Sequence, residues 1–126
     1  MLDAIEFVAL APHKDDRGDL ISLELGAPLT FQPHRNFFIR NVPFGQFRAQ
    51  HAVSCDEFLV LQSGKCRLTI KSLAGVESYD LTDLDTGVFI PAGLWIELSH
   101  FSADAQVLVN CSQRYVDVQY FSEPQR

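Results

Sequence analysis

The chain has 126 residues, and its 10 basic and 16 acidic side chains give a formal net charge of −6. This acidic balance argues against a general nucleic-acid or anionic-membrane binder, because both need clustered positive charge. The length suits a single domain, residues 1–126, and the lack of a long apolar run or an export signal favours a cytoplasmic protein.

Apolar residues come in short runs, often alternating with polar ones, and turn residues separate the runs about every eight to twelve positions. This pattern is typical of an all-β sandwich or barrel. The predicted strands are residues 5–10, 20–25, 36–41, 48–53, 57–63, 65–71, 78–81, 87–90, 94–98, 105–111 and 115–121.

The segment LVLQSGKCRLTIK predicts a hairpin, because Ser63-Gly64 supplies a turn with a residue that tolerates positive φ. Alternation in the second strand points Cys66, Leu68 and Ile70 towards a core and the intervening residues towards solvent. We expect the cysteines of the chain to be buried, reduced thiols, because they are odd in number and lack CxxC spacing.

Residues 45–64 carry a spaced pattern, with Gly45, His51, Glu57 and Gly64 at its anchor positions and Val53 where a second histidine belongs. The pattern resembles the first motif of the cupins, which implies a double-stranded β-helix, or jelly-roll barrel. Alternation places Val53 on the same strand face as His51.

A second, weaker motif begins at Pro91-Ala92-Gly93 and has Ile96 where metal-binding cupins usually carry their last histidine. His51 and Glu57 offer two protein ligands, whereas a transition metal generally needs at least three. We therefore predict no bound metal and no cofactor. Taken alone, His51 is better interpreted as a core histidine satisfied by its neighbours, and its position in the motif makes a functional role equally well supported.

Six further segments occur in the order seen in the WxcM-like sugar 3,4-ketoisomerases, and the resemblance spans residues 16–121. The segments are Asp16-Arg17-Gly18-Asp19-Leu20, His34-Arg35-Asn36-Phe37-Phe38-Ile39, Arg48-Ala49-Gln50-His51, Ile90-Pro91 with Trp95, Phe101-Ser102-Ala103-Asp104-Ala105, and Tyr115-Val116-Asp117-Val118-Gln119-Tyr120.

The resemblance implies a metal-free cupin that acts on dTDP-4-keto-6-deoxy-glucose and moves its carbonyl from C4 to C3, on the way to sugars of bacterial surface polysaccharides. It also implies a homodimer that exchanges N-terminal strands. Such an isomerisation passes through an enediol, so the site must move protons and stabilise oxyanion charge.

By resemblance, His51 is the proton-transfer residue. Glu57 stands where many family members have glutamine, and we expect it to be the partner of His51. A buried carboxylate there would either raise the pKa of His51 or act as the second acid/base. The resemblance places Arg35 and Arg48 around the phosphates and the oxyanion. Arg48 and His51 lie on opposite faces of a regular strand, so they share a site only if a bulge re-aims Arg48.

Two further residues are candidates for substrate contact. Arg17 resembles an N-terminal arginine that reaches into the site in some family members. Trp95 offers an aromatic face for a base or a sugar. Surface ion pairs remain an alternative for the arginines, and a core role for Trp95.

The sequence departs from the family at Val53, which removes an imidazole, and at Phe37-Phe38, where family members generally show tyrosine. Three functions therefore compete. They are a nucleotide-sugar isomerase, a non-catalytic sugar or nucleotide-sugar binding cupin, and a cupin that acts on another small ligand with an unusual metal.

Overall fold

A computed structural model describes residues 4–126, which form short strands and one 3-10 turn, Tyr115–Asp117. The strands are β1 Glu6–Ala9, β2 His13–Asp15, β3 Gly18–Leu20, β4 Glu24–Leu25, β5 Pro28–Leu29, β6 Arg35–Arg40, β7 Arg48–Val53, β8 Glu57–Ser63, β9 Cys66–Ser72, β10 Gly75–Leu81, β11 Thr86–Ile90, β12 Trp95–Ser99, β13 Gln106–Cys111 and β14 Tyr120–Phe121. Within residues 4–126, no helix is long and apolar enough to cross a membrane.

Two five-stranded antiparallel sheets face each other as a jelly roll, which confirms the predicted all-β fold. Their strand orders are β1-β11-β8-β13-β6 and β10-β9-β12-β7-β14. The main core lies between them, where alternate residues of each strand meet, among them Leu59, Leu68, Ile70 and Val109. Side chains of this core also line the cavity that contains the polar residues of the candidate site.

A second apolar cluster covers the outer face of the first sheet. Phe58 and Val60 of β8 point outward there and pack with Leu10 and Leu29 from the N-terminal region. Phe58 lies so close to Gly87 of β11 that a Cβ at Gly87 would meet the Phe58 ring at 2.3 Å. Burial on both faces therefore holds β8, the strand that carries Glu57.

The prediction of a hairpin at Ser63-Gly64 is wrong. The predicted alternation of buried and more exposed residues in the following strand is confirmed. Cys66, Leu68 and Ile70 are buried, but β8 and β9 belong to different sheets, so the turn crosses from one sheet to the other. Gly64 has a φ of 68°, and a Cβ there would overlap the 102–105 loop. The glycine thus permits a close crossing rather than a two-stranded hairpin.

The bounds predicted for β7 and β8 are confirmed, whereas the predictions at both ends of the chain need correction. Predicted strand 20–25 is divided between β3, which pairs with β2, and β4, which pairs with β5. Predicted strand 115–121 begins as a 3-10 turn and only its end, β14, joins the second sheet. Cys55, Cys66 and Cys111 are free and buried, as expected.

Candidate active site

A cavity of about 350 Å³ lies between the two sheets and collects polar groups from four strands. Arg35 comes from β6, Arg48 and His51 from β7, Glu57 from β8 and Tyr120 from β14. Its apolar wall is formed by side chains of the main core, including Leu59, Ile96, Leu98 and Val109. Two cations, a carboxyl, an imidazole and a phenol thus meet in a partly dry space.

A β-bulge in β7 brings Arg48 and His51 to the same face. His51 pairs with Ile96 and Arg48 pairs with Leu98, so Gln50 is the extra residue in the strand. Directly opposed residues point to the same side of a sheet, and Ile96 and Leu98 both face the core. The condition for a shared site, a bulge that re-aims Arg48, is therefore met.

His51 is half-buried, and burial lowers the pKa of its imidazole below the ordinary value. The ring of Tyr120 packs against it, with 5.0 Å between the ring centroids and 38° between the planes. Glu57 was expected to raise the pKa of His51. Instead, this pKa is lowered, because burial removes water from the imidazole and disfavours its charged form. A neutral imidazole is the form that accepts a proton.

Glu57 is 7% exposed, and burial raises the pKa of its carboxyl to about 7, while the charge of Arg35 lowers it by a smaller amount. The Cys111 thiol donates a weak hydrogen bond to this carboxyl, with Sγ 4.0 Å from Oε2. A carboxyl with such a pKa holds a proton on a large fraction of molecules at neutral pH. It can therefore give or take a proton as an acid/base.

Arg35 is oriented by two aromatic rings. Its guanidinium carbon lies 4.7 Å from the centroid of the Phe37 ring and 4.9 Å from that of the Tyr115 ring. Such cation–π contacts hold the planar group without neutralising its charge. The guanidinium thus remains available to an anionic ligand in the cavity.

Hydrocarbon occupies the two positions where metal-binding cupins carry further ligands. Val53 and Ile96 are 7% and 5% exposed and belong to the main core. Across residues 4–126, no group of three or more His, Cys, Asp or Glu side chains is arranged to hold a metal ion. The donor set around His51 therefore does not fit a cupin metal.

Trp95 is separated from the other predicted site residues. It neighbours Ile96 on β12 and so faces the opposite side of the sheet, where Lys71 Nζ lies 4.2 Å above its ring. Trp95 is 9% exposed and does not line the cavity. The substrate contact predicted for Trp95 is thus not supported by its position, because strand alternation turns the ring outward.

Arg17 also lies outside the cavity of its own chain. It occupies the turn between β2 and β3, where its guanidinium forms a 2.6 Å ion pair with Asp15, and its side chain is 86% exposed. An exposed pair of this kind contributes little to stability. Among residues 4–126, therefore, Arg35 and Arg48 are the cationic side chains that line the cavity.

Tyr120 is the site residue that sequence reasoning missed. It lines the cavity and contacts His51, yet it entered the sequence analysis only as the last residue of the 115–120 segment. The signal was present, because that segment belongs to the family pattern. Its position beside β7 depends on strand pairing that the local sequence does not encode.

Comparisons with known proteins agree with this geometry. The family described as "FdtA: WxcM-like, C-terminal" matches residues 3–126. A TDP-4-oxo-6-deoxy-alpha-D-glucose-3,4-oxoisomerase from Aneurinibacillus thermoaerophilus is 24% identical over 110 residues, which cover 86% of this chain and 79% of that protein.

Solved structures of 3,4-ketoisomerases are also similar. The WlaRB TDP-quinovose 3,4-ketoisomerase from Campylobacter jejuni matches with a TM-score of 0.90 and 27% identity, over 97% of this chain and 95% of that chain. A 3,4-ketoisomerase from Helicobacter canadensis matches with a TM-score of 0.88 and 26% identity, over 94% and 90%. Because the family match spans nearly the whole sequence, the chain belongs to the WxcM-like family.

Proposed function

We propose that this protein is a nucleotide-sugar isomerase that moves a keto group between C4 and C3 of a dTDP-4-keto-6-deoxy-hexose, in the synthesis of bacterial surface-polysaccharide sugars. The observation that carries the proposal is the meeting of His51, Glu57, Arg35 and Arg48 in one cavity. The names of the three relatives described above, which are 3,4-ketoisomerases or a 3,4-oxoisomerase, support the choice of reaction. A cytoplasmic location goes with it, since the three cysteines are free thiols.

The reaction needs one group that gains and then loses a proton, and a second group that loses and then regains one. Neutral His51 removes the proton from C3, the electron pair forms the C3–C4 double bond, and the C4 oxygen takes a proton from Glu57. Glu57 then takes the proton of the C3 hydroxyl, the new C3 carbonyl forms, and the His51 imidazolium protonates C4. Both residues return to their starting states, so no co-reactant is required.

Burial suits each residue to its step. The lowered pKa of His51 favours its neutral form, and the pKa of about 7 leaves Glu57 protonated on a large fraction of molecules at neutral pH. Arg35 and Arg48 stabilise the diphosphate and the developing enediolate, because guanidinium groups bind such oxyanions through paired hydrogen bonds. The cavity thus offers one base, one acid and a positive field.

Isotope exchange tests the proposal. The protein is incubated in D₂O with dTDP-4-keto-6-deoxy-glucose, and the C3 proton is followed by NMR. We expect this signal to disappear as the 3-keto product forms. The proposal fails if the C3 proton persists while calorimetry shows that dTDP binds.

That outcome would favour the second candidate, a sugar or nucleotide-sugar binding cupin without catalysis. The observation on its side is Val53, a buried core residue at the position of the missing imidazole. Under this alternative, dTDP binding depends on Arg35 and Arg48 but no exchange occurs. Failure to bind any dTDP compound would count against both functions.

We also propose a homodimer in which N-terminal strands are exchanged. The β2–β3 hairpin is exposed along its whole length, and Leu20 at its end is 63% exposed. In such a dimer Arg17 would enter the cavity of the second copy, which accounts for its distance from the cavity of its own chain. Light scattering tests this: deletion of residues 13–20 should yield monomers, and an unchanged mass would contradict it.

A further inference from the structure

Tyr120 stands beside the position where the second histidine is missing. In the pairing of β14 with β7, Tyr120 lies directly opposite Val53. Opposed residues point to the same face, and a large side chain also reaches its diagonal neighbour, which here is His51. The small valine leaves room for this, and the phenol ring packs on the imidazole with 5.0 Å between the centroids.

His51 lacks the support that a catalytic histidine usually has. A hydrogen bond to one ring nitrogen normally fixes the orientation and the tautomer of such an imidazole. Among residues 4–126, no group forms a hydrogen bond with the His51 ring. The contact with Tyr120 is therefore the specific interaction available to orient it.

From this arrangement, we propose that Tyr120 is the positioning residue of His51, holding the imidazole towards the cavity through its aromatic ring. The inference rests on the proposed function for its catalytic consequence. The ring also excludes water from one side of the imidazole. Removal of the ring should therefore both loosen His51 and let its pKa return towards the ordinary value.

Hydrogen bonds join the segment that carries Tyr120 to the end of β7, the strand that carries His51. Ser54, next to the end of β7, accepts a 2.8 Å hydrogen bond at Oγ from the Gln119 amide and donates one of 2.8 Å to Gln113 Oε1. The Ser54 amide donates to the Gln119 carbonyl at 3.0 Å. These bonds tie residues 113–121 to β7 and so set the height of Tyr120 over His51.

Other charged and titratable groups face the same cavity and must be considered in any titration. They are Arg48 on β7, Arg35 on β6 and Glu57 on β8, whereas β12 contributes Ile96 and Leu98, which do not ionise. None of these groups touches the phenol ring in the way His51 does. A change of His51 titration on loss of Tyr120 therefore reports on the ring contact.

The test compares Tyr120→Phe, which keeps the ring, with Tyr120→Ala, which removes it. We expect Tyr120→Phe to keep kcat within about threefold and Tyr120→Ala to lower kcat about tenfold or more, with a smaller change in KM. NMR titration should show a higher pKa for His51 in Tyr120→Ala only. Val116→Ala, an exposed change in the same segment, serves as the matched control and should alter neither quantity.

A second variant covers the case in which Tyr120→Ala does not fold. Ser54→Ala removes the two Oγ hydrogen bonds, to Gln113 and Gln119, and keeps the backbone bond from the Ser54 amide. It should change kcat and the His51 titration in the same direction as Tyr120→Ala, by less. An equal loss of kcat in Tyr120→Phe and Tyr120→Ala would overturn the proposal, since the hydroxyl and not the ring would then be the group that matters. An unchanged His51 titration in folded variants would also overturn it, and this measurement needs no isomerase activity.

Discussion

Arg48 and His51 share one face of β7 because Gln50 is an extra residue between them, and the register on β12 shifts by one at this point. Ala49 and Gln50 have φ values of 68° and 63°, in the left-handed region. That conformation is unfavourable for residues other than glycine. Because a regular strand would turn Arg48 away from the cavity, the strain accompanies the assembly of the site.

A β-branched residue at position 50 should destabilise this bulge. We expect Gln50→Val to lower the free energy of unfolding by about 1–2 kcal/mol relative to Gln50→Gly, because valine tolerates positive φ poorly. Both variants lose the 3.0 Å hydrogen bond from Gln50 to Glu97, so the comparison isolates the backbone effect. Urea denaturation measures the difference, and equal stabilities would contradict the assignment of strain.

Glu57 should make the stability of the fold depend on pH. Its pKa is raised from 4.5 to about 7 in the folded state, so folding favours the protonated carboxyl. The resulting stability is fully present below the unfolded pKa and is lost as pH rises through the folded pKa, that is, between about pH 4.5 and 7.

Glu57→Gln keeps the shape of the side chain without its ionisation. We expect this variant to lose that pH dependence and to be more stable than the native protein at pH 8 by about 3 kcal/mol, since a tenfold change in proton affinity is worth about 1.4 kcal/mol. Denaturation curves at pH 5 and pH 8 provide the measurement. If the free energy of unfolding fell equally from pH 5 to pH 8 in both proteins, Glu57 would not be the group responsible for the pH dependence.

Val53→His tests the missing imidazole directly. Position 53 is buried in the core, so the polar ring should lower the free energy of unfolding by about 1–3 kcal/mol. We nevertheless expect higher isomerase activity, because a second acid/base would stand on the same strand face as His51. An unchanged or lower rate in a folded variant would mean that position 53 is not the missing acid/base.

Gly87→Ala tests the close packing that holds β8. The added Cβ would meet the Phe58 ring at 2.3 Å, and overpacking of this kind costs about 1–3 kcal/mol. Gly75→Ala is the matched control, since nothing lies within 4 Å of its Cβ position. Thermal unfolding should show a lower Tm for Gly87→Ala alone, and equal Tm values would argue against the contact.

Alternating hydrophobicity was enough to predict the all-β fold and the bounds of β7 and β8. It failed at the β2–β3 hairpin, because every residue from His13 to Asp15 and from Gly18 to Leu20 is exposed and no apolar face marks the strands. It also failed at Tyr115–Asp117, where the Val118 amide bonds to the Tyr115 carbonyl and closes a turn.

For the site, spaced motifs identified His51, Glu57, Arg35 and Arg48, which the structure brings together in one cavity. Trp95 lies outside this cavity, and motif position alone does not say to which side a strand residue points. Tyr120 was missed because its contact with His51 arises from long-range pairing between β14 and β7. The bulge was foreseen only as a condition, since Ala49 and Gln50 carry no glycine signal for positive φ.

The most direct test of the proposed chemistry is the rate of C3 proton exchange in dTDP-4-keto-6-deoxy-glucose, measured by NMR for the native protein and for His51→Asn. We predict measurable exchange in the native protein and a loss of about a hundredfold or more in the variant, because a positioned acid/base contributes on that order. Equal exchange rates in the two proteins, with both folded and both binding dTDP, would contradict the role of His51 as the proton-transfer residue.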